Sequence, residues 1–242
     1  ALKTIKMRLL ILSIYAMMAL SSACDPPAGD LPLYRVNKHT PAPNLTGRAD
    51  DPIWKNAAAL TDFRFPWQER VAPATTFRAL WSEEYLSFQF VVRDDDIVLG
   101  EGQTQEEAVL GSDRVELFFA ADANLQNYYT LEMDPRAWVF DAHGRQYRKI
   151  DSNWNWPGLQ LAASRTEEGY ILEGRIPMAS FAELGLWQDD AHRRLRCGVF
   201  RAEFAHAADG RIRQNWISWI QPDSPEPDFH IPSAFGNWEL VE

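Results

Sequence analysis

Short strand-like runs separated by tight turns follow one another along most of the chain, and this pattern limits the possible folds more than any other feature. Residues 76–81 and 85–92 are rich in β-branched and aromatic residues, and the polar residues 82–84 separate them as in a β-hairpin. The chain lacks the crossover helices that connect parallel strands. We therefore predict an all-β protein, an antiparallel, jelly-roll-like β-sandwich with one or two short helices.

Further runs of the same kind extend the predicted sheet to the end of the chain. Helical signals are confined to 52–59 and 178–184. The composition of 25–40 is that of a flexible tether, and no other proline- or glycine-rich linker follows, so we predict one sandwich domain over 41–242. The further predicted strands span 114–119, 128–133, 138–141, 159–164, 170–176, 197–204, 216–220 and 237–241.

The first 24 residues have the organisation of an export signal. Three basic residues precede the apolar stretch 9–20, and the small residues 21–23 lead directly to Cys24. We predict that 1–24 is a signal peptide with Cys24 as a lipidation site, because its end resembles a bacterial lipobox. The mature protein would then be an exported bacterial protein of the periplasm or cell envelope, in contact with a membrane only through its lipid. A plain secretory signal, or a disulfide between Cys24 and Cys197, is the alternative.

Charge and tryptophan content narrow the choice of partner. The formal net charge is −10, which repels phosphate backbones, so nucleic acid is not expected as a partner. The chain has 10 Trp, and this large, amphipathic side chain makes flat contact surfaces as well as core. A neutral ligand such as a sugar suits both features.

Two loops carry aromatic side chains next to polar ones. In the loop 151–158, Trp154 and Trp156 alternate with asparagines, among them Asn155, and could stack on sugar rings while the amides bind hydroxyl groups. In the loop 222–232, three prolines stiffen the backbone ahead of Phe229. The alternative in both cases is that the aromatic side chains fold back onto the core.

Acidic residues suggest a cation site and a catalytic pair. Asp94, Asp96 and Asp113 are candidate ligands for a structural Ca²⁺. A solvated acidic loop is the preferred alternative, because adjacent strand residues point to opposite faces and not all of these carboxylates can converge. Glu116 and Glu132 are a carboxylate pair of the kind that glycoside hydrolases use. No nucleophile, zinc or nucleotide-binding motif occurs, and the five His show no metal-ligand spacing.

Several segments, taken in order, resemble the family 9 carbohydrate-binding modules, within the wider DOMON-like group of β-sandwiches. They are the I-W-x-x-A element within 47–57, R-A-L-W-S-E-E-Y-L at 78–86, S-D-R-V-E-L-F-F at 112–119, G-Y-I-L-E-G-R-I-P at 169–177 and the ending between 217 and 236. Together they cover the chain from about residue 45 to 242.

The resemblance implies a sandwich that clamps a terminal sugar between two aromatic side chains, assisted by carboxylate and amide groups. Glu116 matches the carboxylate of the family's D-x-V-E strand, and Phe229 matches the second clamp residue. Leu110 stands at the first clamp position, so that aromatic side chain is lost. Glu132 and Asp134 stand where the family has an Arg and an Asn. Some members hold structural Ca²⁺, and such modules usually accompany polysaccharide-degrading enzymes.

We therefore predict non-catalytic carbohydrate binding that supports polysaccharide breakdown, with an oligo- or polysaccharide as partner and glycoside hydrolases as further partners. Stacking by Trp154, Trp156 and Phe229 would give affinity, and the two Trp would replace the clamp side chain missing at Leu110. Hydrogen bonds from Glu116, Glu132 and Asn155 would give specificity. No cofactor is expected beyond a structural Ca²⁺.

Two alternatives remain open at this stage. One is a glycoside hydrolase, or an accessory subunit of one, that acts on O-glycosyl bonds through Glu116. The other is an electron-transfer module, because related sandwiches bind haem through Met and His, and Met133 and His143 would be the corresponding ligands.

Overall fold

The computed structural model describes residues 31–189 and 193–242, and within them β-strands predominate. The strands are β1 (Leu33–Lys38), β2 (Thr75–Trp81), β3 (Tyr85–Arg93), β4 (Arg114–Ala120), β5 (Tyr128–Met133), β6 (Val139–Arg145), β7 (Lys149–Asp151), β8 (Gln160–Thr166), β9 (Gly169–Pro177), β10 (Trp187–Asp189), β11 (Arg194–His206), β12 (Ile212–Ser218) and β13 (Gly236–Val241). The helices are α1 (Gln105–Leu110), α2 (Met178–Glu183) and two 3-10 turns at Pro52–Asn56 and Pro232–Ala234.

The strands form one continuous ladder in the order β7-β6-β5-β4-β11-β13-β1-β2-β3-β9-β8, with β10 and β12 also paired to β11. Most neighbours are antiparallel, as predicted, while β1 runs parallel to both β13 and β2. The sheet curls so that its β4-β5-β11 half packs against its β2-β3-β9 half. The predicted all-β class is confirmed.

The main core lies between the two halves. In β4, Val115, Leu117 and Phe119 point inward, and Phe88 and Leu172 meet them from β3 and β9 within one buried cluster. Strand alternation sends the intervening residues of β4 to the opposite face of the sheet. That opposite face, called the outer face below, is also buried, so every residue of β4 and β5 is buried.

Strand β1 corrects the predicted domain boundary. Residues 33–38 were expected in the tether 25–40, but they pair with β13 along five positions and with β2 along two. Tyr34 and Val36 alternate into the core and give the strand its period of two. The run is short and follows Pro32, so its sequence pattern is weak.

The helices differ modestly from the prediction. The segment expected at 52–59 is a single 3-10 turn, and that expected at 178–184 is α2. Helix α1 was not predicted, although its start carries the signature of a capped helix: the Thr104 hydroxyl accepts a hydrogen bond from Glu107 N at 3.1 Å. Gly111 caps its other end, directly after Leu110. No helix of the described residues is both long and apolar enough to cross a membrane.

Candidate functional site

A cavity of about 380 Å³ opens on the outer face of β4, β5 and β6, between the end of α1 and the proline-rich loop 222–232. Its floor is polar and its walls are mainly apolar. The lining residues are Leu110, Arg114, Glu116, Thr130, Glu132, Phe140, Arg148, Ile150, Trp216, Pro227, Asp228, Phe229 and His230.

The floor is built by cross-strand register. Glu116 of β4 stands opposite Glu132 of β5, and both side chains are almost fully buried on the outer face. Arg114, two residues before Glu116, lies on the same face and is also buried. Its Nε donates to Glu132 Oε2 at 2.7 Å and lies 3.0 Å from Glu116 Oε1. One guanidinium thus holds two carboxyl groups in place.

Burial controls the charge of this floor. Desolvation raises the pKa of Glu116 well above its ordinary value, the charge of Glu132 raises it further, and Arg114 opposes both effects. Protonation of Glu116 leaves one positive charge on Arg114 balanced by one negative charge on Glu132. The floor then approaches neutrality, which suits an uncharged ligand rich in hydroxyl groups.

Two polar atoms of the floor make no well-formed hydrogen bond to the described residues, although one of them, Glu116 Oε1, keeps its 3.0 Å ion-pair contact with Arg114 Nε. Among the described residues, neither Glu116 Oε1 nor Thr130 Oγ1 has a hydrogen-bond partner of suitable geometry. Buried polar groups of this kind cost about 1–3 kcal/mol each unless a partner satisfies them. Both line the cavity, so a ligand group placed on the floor can supply the missing hydrogen bonds.

Aromatic side chains form the wall on the β12 side. Phe229 is only 6% exposed and stacks on Phe200, with ring centroids 4.1 Å apart and planes 10° apart. Trp216 of β12 meets Phe229 edge-on at 6.1 Å and is only partly buried. Trp216 therefore offers more open ring surface to the cavity than Phe229 does.

An ion pair closes the rim between two loops. Arg148 Nη2 donates to Asp228 Oδ1 at 2.8 Å, and the Tyr147 hydroxyl donates a short hydrogen bond to the same carboxylate. His230 Nδ1 lies 2.9 Å from the Tyr128 hydroxyl. Burial, with Arg148 nearby, lowers the pKa of His230 to about 4, so its ring is neutral at physiological pH. These contacts tie the β6–β7 turn to the proline-rich loop.

The structure separates the predicted sugar-stacking residues. Trp156 is buried in the main core against Phe119 and Phe181, and Trp154 packs on Tyr129 at the edge of the same core. Phe229 belongs to the outer-face cluster instead, across the sheet. The predicted slot between the two Trp and Phe229 is therefore wrong.

Asn155 lies on the 151–158 loop, away from the cavity. Its side-chain amide donates to Asn153 O at 3.1 Å, and it does not line the cavity. The physical reason lies in the backbone of the loop, since Trp156 N donates a short hydrogen bond to Asp141 and draws the loop onto the core side of the sheet. Glu116, Glu132 and Phe229, by contrast, are brought together at one cavity, together with Leu110.

The three predicted cation ligands are each bonded within the protein. Asp94 forms a buried ion pair with Arg201 at 2.9 Å, and Asp96 accepts from His206 Nδ1 at 2.7 Å. Asp113 accepts from the backbone N–H groups of residues 98 and 204, and burial raises its pKa to about 7. In the part of the chain that the structure describes, no group of three or more His, Cys, Asp or Glu could hold a metal ion.

The residues predicted for haem binding do not converge. Met133 is fully buried in the main core. His143 pairs with Tyr129, which lies four positions before Met133 along β5. The two rings stack with their centroids 4.8 Å apart. Cys197 is buried and free, while Cys24 lies outside the described residues.

Most of the cavity residues were missed from the sequence, among them Arg114, Thr130 and Trp216. Arg114 stands inside the D-R-V-E motif and was passed over because its partner Glu132 was not yet placed beside it. Thr130 gave no signal beyond its strand. Trp216 of β12 pairs with Ala202 of β11, and Ala202 pairs with Arg114 of β4. Only this register places Trp216 beside the cavity.

Comparison with known proteins agrees with this picture. A family model described as "Carbohydrate family 9 binding domain-like" matches residues 45–242. The resemblance predicted from the motifs is thereby confirmed over the same part of the chain. No curated protein sequence gives a significant match.

Solved structures with low sequence identity share the fold. A family 9 carbohydrate-binding module from Caldicellulosiruptor kristjanssonii in complex with cellotriose superposes with a TM-score of 0.61 at 15% identity, over 86% of this chain and 93% of that one. Its complex with glucose gives 0.60 at 15%, over 87% and 96%. A putative carbohydrate-binding protein from Bacteroides uniformis gives 0.61 at 14%, over 86% and 99%. The predicted jelly-roll-like sandwich is confirmed.

Proposed function

The chain belongs to the carbohydrate family 9 binding domain-like family, and from this premise we propose that it is a non-catalytic module that binds a carbohydrate in the cavity beneath the proline-rich loop. One observation carries the proposal. Beside an aromatic wall, the floor presents two buried oxygens that lack a hydrogen-bond partner of suitable geometry among the described residues: Thr130 Oγ1, and Glu116 Oε1, which Arg114 contacts as an ion pair. A sugar ring has hydroxyl groups for such a floor and apolar C–H faces for such a wall. The Caldicellulosiruptor structures, whose ligands are cellotriose and glucose, support the same ligand class.

Each part of the cavity takes a role in this proposal. Trp216 stacks on the sugar ring, with Phe229 behind it as support. Glu116 and Glu132 bind hydroxyl groups, and Arg114 positions both carboxyl groups. Preorganisation by the two rim contacts reduces the ordering cost of binding.

The experiment is a glycan array followed by calorimetric titration of the best ligand. Trp216→Ala should weaken binding roughly fivefold or more, because stacking on one aromatic ring contributes on the order of 1 kcal/mol. Trp138→Ala is the matched control, since Trp138 is also partly buried and does not line the cavity. Weakened binding in Trp154→Ala with unchanged binding in Trp216→Ala would move the site to the 151–158 loop and refute the proposal.

One observation favours a second candidate function, hydrolysis of O-glycosyl bonds. A carboxyl group with a raised pKa opposite a second carboxyl group is the arrangement of a general acid and its partner. Arg114 lies between the two groups and binds both, which suits positioning rather than proton transfer. Hydrolysis of a chromogenic glycoside that is lost in Glu116→Gln would establish the enzyme.

We further propose that the module is exported, held in the cell envelope by a lipid on Cys24, and that it assists glycoside hydrolases there. The sequence pattern of residues 1–24 supports export and the lipid anchor, and the family, whose modules usually accompany polysaccharide-degrading enzymes, supports the link to glycoside hydrolases. Mass spectrometry of the membrane fraction tests it: an acylated N-terminal Cys24 supports the anchor, and an unmodified N-terminus beyond residue 24 refutes it.

A further inference from the structure

Exposed apolar side chains gather on one side of the cavity. Leu110 is 43% exposed and Ile150 is 38% exposed, and both line the cavity. Tyr147, beside the rim ion pair, is also exposed. Exposed large apolar side chains concentrated at one concave site, rather than scattered singly, mark a contact surface.

The topology explains how these side chains meet. Ile150 lies on β7 opposite Gly144, which in turn stands opposite Tyr128, so Ile150 points to the outer face. The ring of Tyr128 fills the space that a side chain at Gly144 would need. Ile150 remains 38% exposed on the outer face, where it lines the cavity.

The cavity thus has two different walls across a polar floor. Strand order places β6 and β7 on one side of β4 and β5, and β12 on the other. Leu110, at the end of α1, and Ile150, on β7, form what we call the aliphatic wall, and the ring of Phe140 lines the cavity on the same side. Trp216 and Phe229 form the aromatic wall.

The two walls suit different parts of a sugar. An aromatic ring stacks on the apolar face of a pyranose, but a hydroxyl or hydroxymethyl group placed against aliphatic carbon loses hydrogen bonds to water and gains none. A methyl group in the same place gains from burial. Partners for hydroxyl groups lie on the floor, at Arg114, Glu116, Thr130 and Glu132, and at the rim, at Arg148, Asp228 and His230, whereas the side chains of Leu110 and Ile150 offer none.

We propose that the cavity selects a sugar that carries a methyl group, either as a 6-deoxy sugar or as an O-acetyl ester, and that this methyl group lies against the aliphatic wall. The inference rests on the proposed function and names the ligand class of the same cavity. The two sources present the same apolar group to the same side chains, and the experiment separates them.

The test is calorimetric titration with matched pairs of sugars. The 6-deoxy arm compares glucose with 6-deoxyglucose, galactose with fucose, and mannose with rhamnose, each within one enantiomeric series. The acetyl arm compares acetylated with chemically deacetylated xylo-oligosaccharides. In at least one arm the methyl-bearing member should bind roughly four- to tenfold more tightly than its partner.

Variants then connect the preference to the wall. Ile150→Thr and Leu110→Ser should bring the affinity ratio within the preferred pair towards one. Ile212→Thr is the matched control, because Ile212 is 40% exposed and does not line the cavity, although it lies on the same strand as Trp216. It should keep the ratio.

Four outcomes are decisive. A preference for methyl-bearing sugars that both wall variants remove and Ile212→Thr keeps supports the inference. Equal binding of both members of every pair overturns it and leaves the proposed function standing. A preference that survives both wall variants overturns it too. Binding of no sugar at all overturns the proposed function and the inference together.

Discussion

At the scale of single residues, Glu116 carries the most information, because its burial links the cavity to the stability of the whole domain. Its folded-state pKa is raised above the ordinary value of 4.5, first by desolvation and then by the charge of Glu132. The folded chain therefore holds a proton that the unfolded chain loses. Unfolding releases this proton, so stability falls as the pH rises above about 4.5 and levels off only above the raised pKa.

We expect the Glu116→Gln variant to lose this part of the pH dependence, because glutamine is uncharged throughout the range. The measurement is the urea midpoint of wild type and variant between about pH 5 and about pH 9. The curves should converge at the acidic end and diverge at the alkaline end, with the variant more stable there. Glu69→Gln, at an exposed position, should follow wild type. Parallel curves for wild type and Glu116→Gln would contradict the raised pKa of Glu116 in the folded state.

Trp156 shows how the same residue type can serve the core rather than the site. It packs between Phe119 and Phe181 in the main core and is almost fully buried. We expect Trp156→Ala to lower the free energy of unfolding by about 3–5 kcal/mol, the cost of removing a buried aromatic side chain. Sugar affinity of the fraction that remains folded should be unchanged. A denaturant melt and a titration on the same variant check both expectations, and a large loss of affinity without loss of stability would contradict them.

At the scale of elements, two of the family motifs meet at one buried carboxylate. Glu173 of β9 accepts hydrogen bonds from Trp54 Nε1 at 2.8 Å and Gln89 Nε2 at 3.2 Å. It also accepts from the backbone N–H groups of Thr46 and Gly47 at 2.9 and 2.7 Å. The segments 47–57 and 169–177, which are separate motifs in the sequence, are thus joined by the hydrogen bonds of one carboxylate.

We expect Glu173→Gln to lower the free energy of unfolding by about 2–3 kcal/mol. The glutamine amide turns one acceptor into a donor that faces other donors, and hydrogen bonds to a charged group contribute about 1.5–3 kcal/mol. Glu183→Gln, at an exposed position of α2, should change stability by less than about 0.5 kcal/mol. Equal denaturant midpoints for the two variants would show that the hydrogen bonds of Glu173 contribute nothing to the free energy of unfolding.

Elements with a strong local pattern could be predicted from the sequence. The predicted bounds of β5 coincide with those observed, because two Tyr and a Thr open the strand and a turn at Asp134 ends it. The three-residue strands β7 and β10 are too short to show a period. Helix α1 was missed despite its capping signature, since its six residues give less than two turns of apolar spacing.

The site was predictable only in part, for a reason that lies in register. Motif matching brought Glu116, Leu110 and Phe229 to one cavity, because all three stand within or near family motifs. Trp216 needs the pairing of three strands to be known before it can be placed. The 151–158 loop follows Asp141 onto the core side, a choice that a sequence rich in Trp and Asn does not reveal.

At the scale of the whole molecule, one curled sheet serves two purposes with its two faces. Strands β4 and β5 direct Leu117 and Leu131 into the main core and Glu116 and Glu132 to the outer face. The cavity floor therefore lies on the face of β4 and β5 opposite the main core. Its walls come from four separate parts of the chain: α1, the strands β6 and β7, the strand β12 and the proline-rich loop.

This construction predicts that a bound sugar stabilises the whole domain, because the ligand would bridge these parts only in the folded state. At a ligand concentration about 100-fold above Kd, binding adds about 2.7 kcal/mol to the free energy of unfolding. For a domain of this size that raises Tm by roughly 5–10 °C. Thermal melts with and without the best ligand from the glycan array check the expectation. At the same ligand concentration, the shift should shrink in Trp216→Ala and persist in Trp138→Ala. A saturating ligand that leaves the Tm of the wild-type protein unchanged would show that it does not bind the folded cavity.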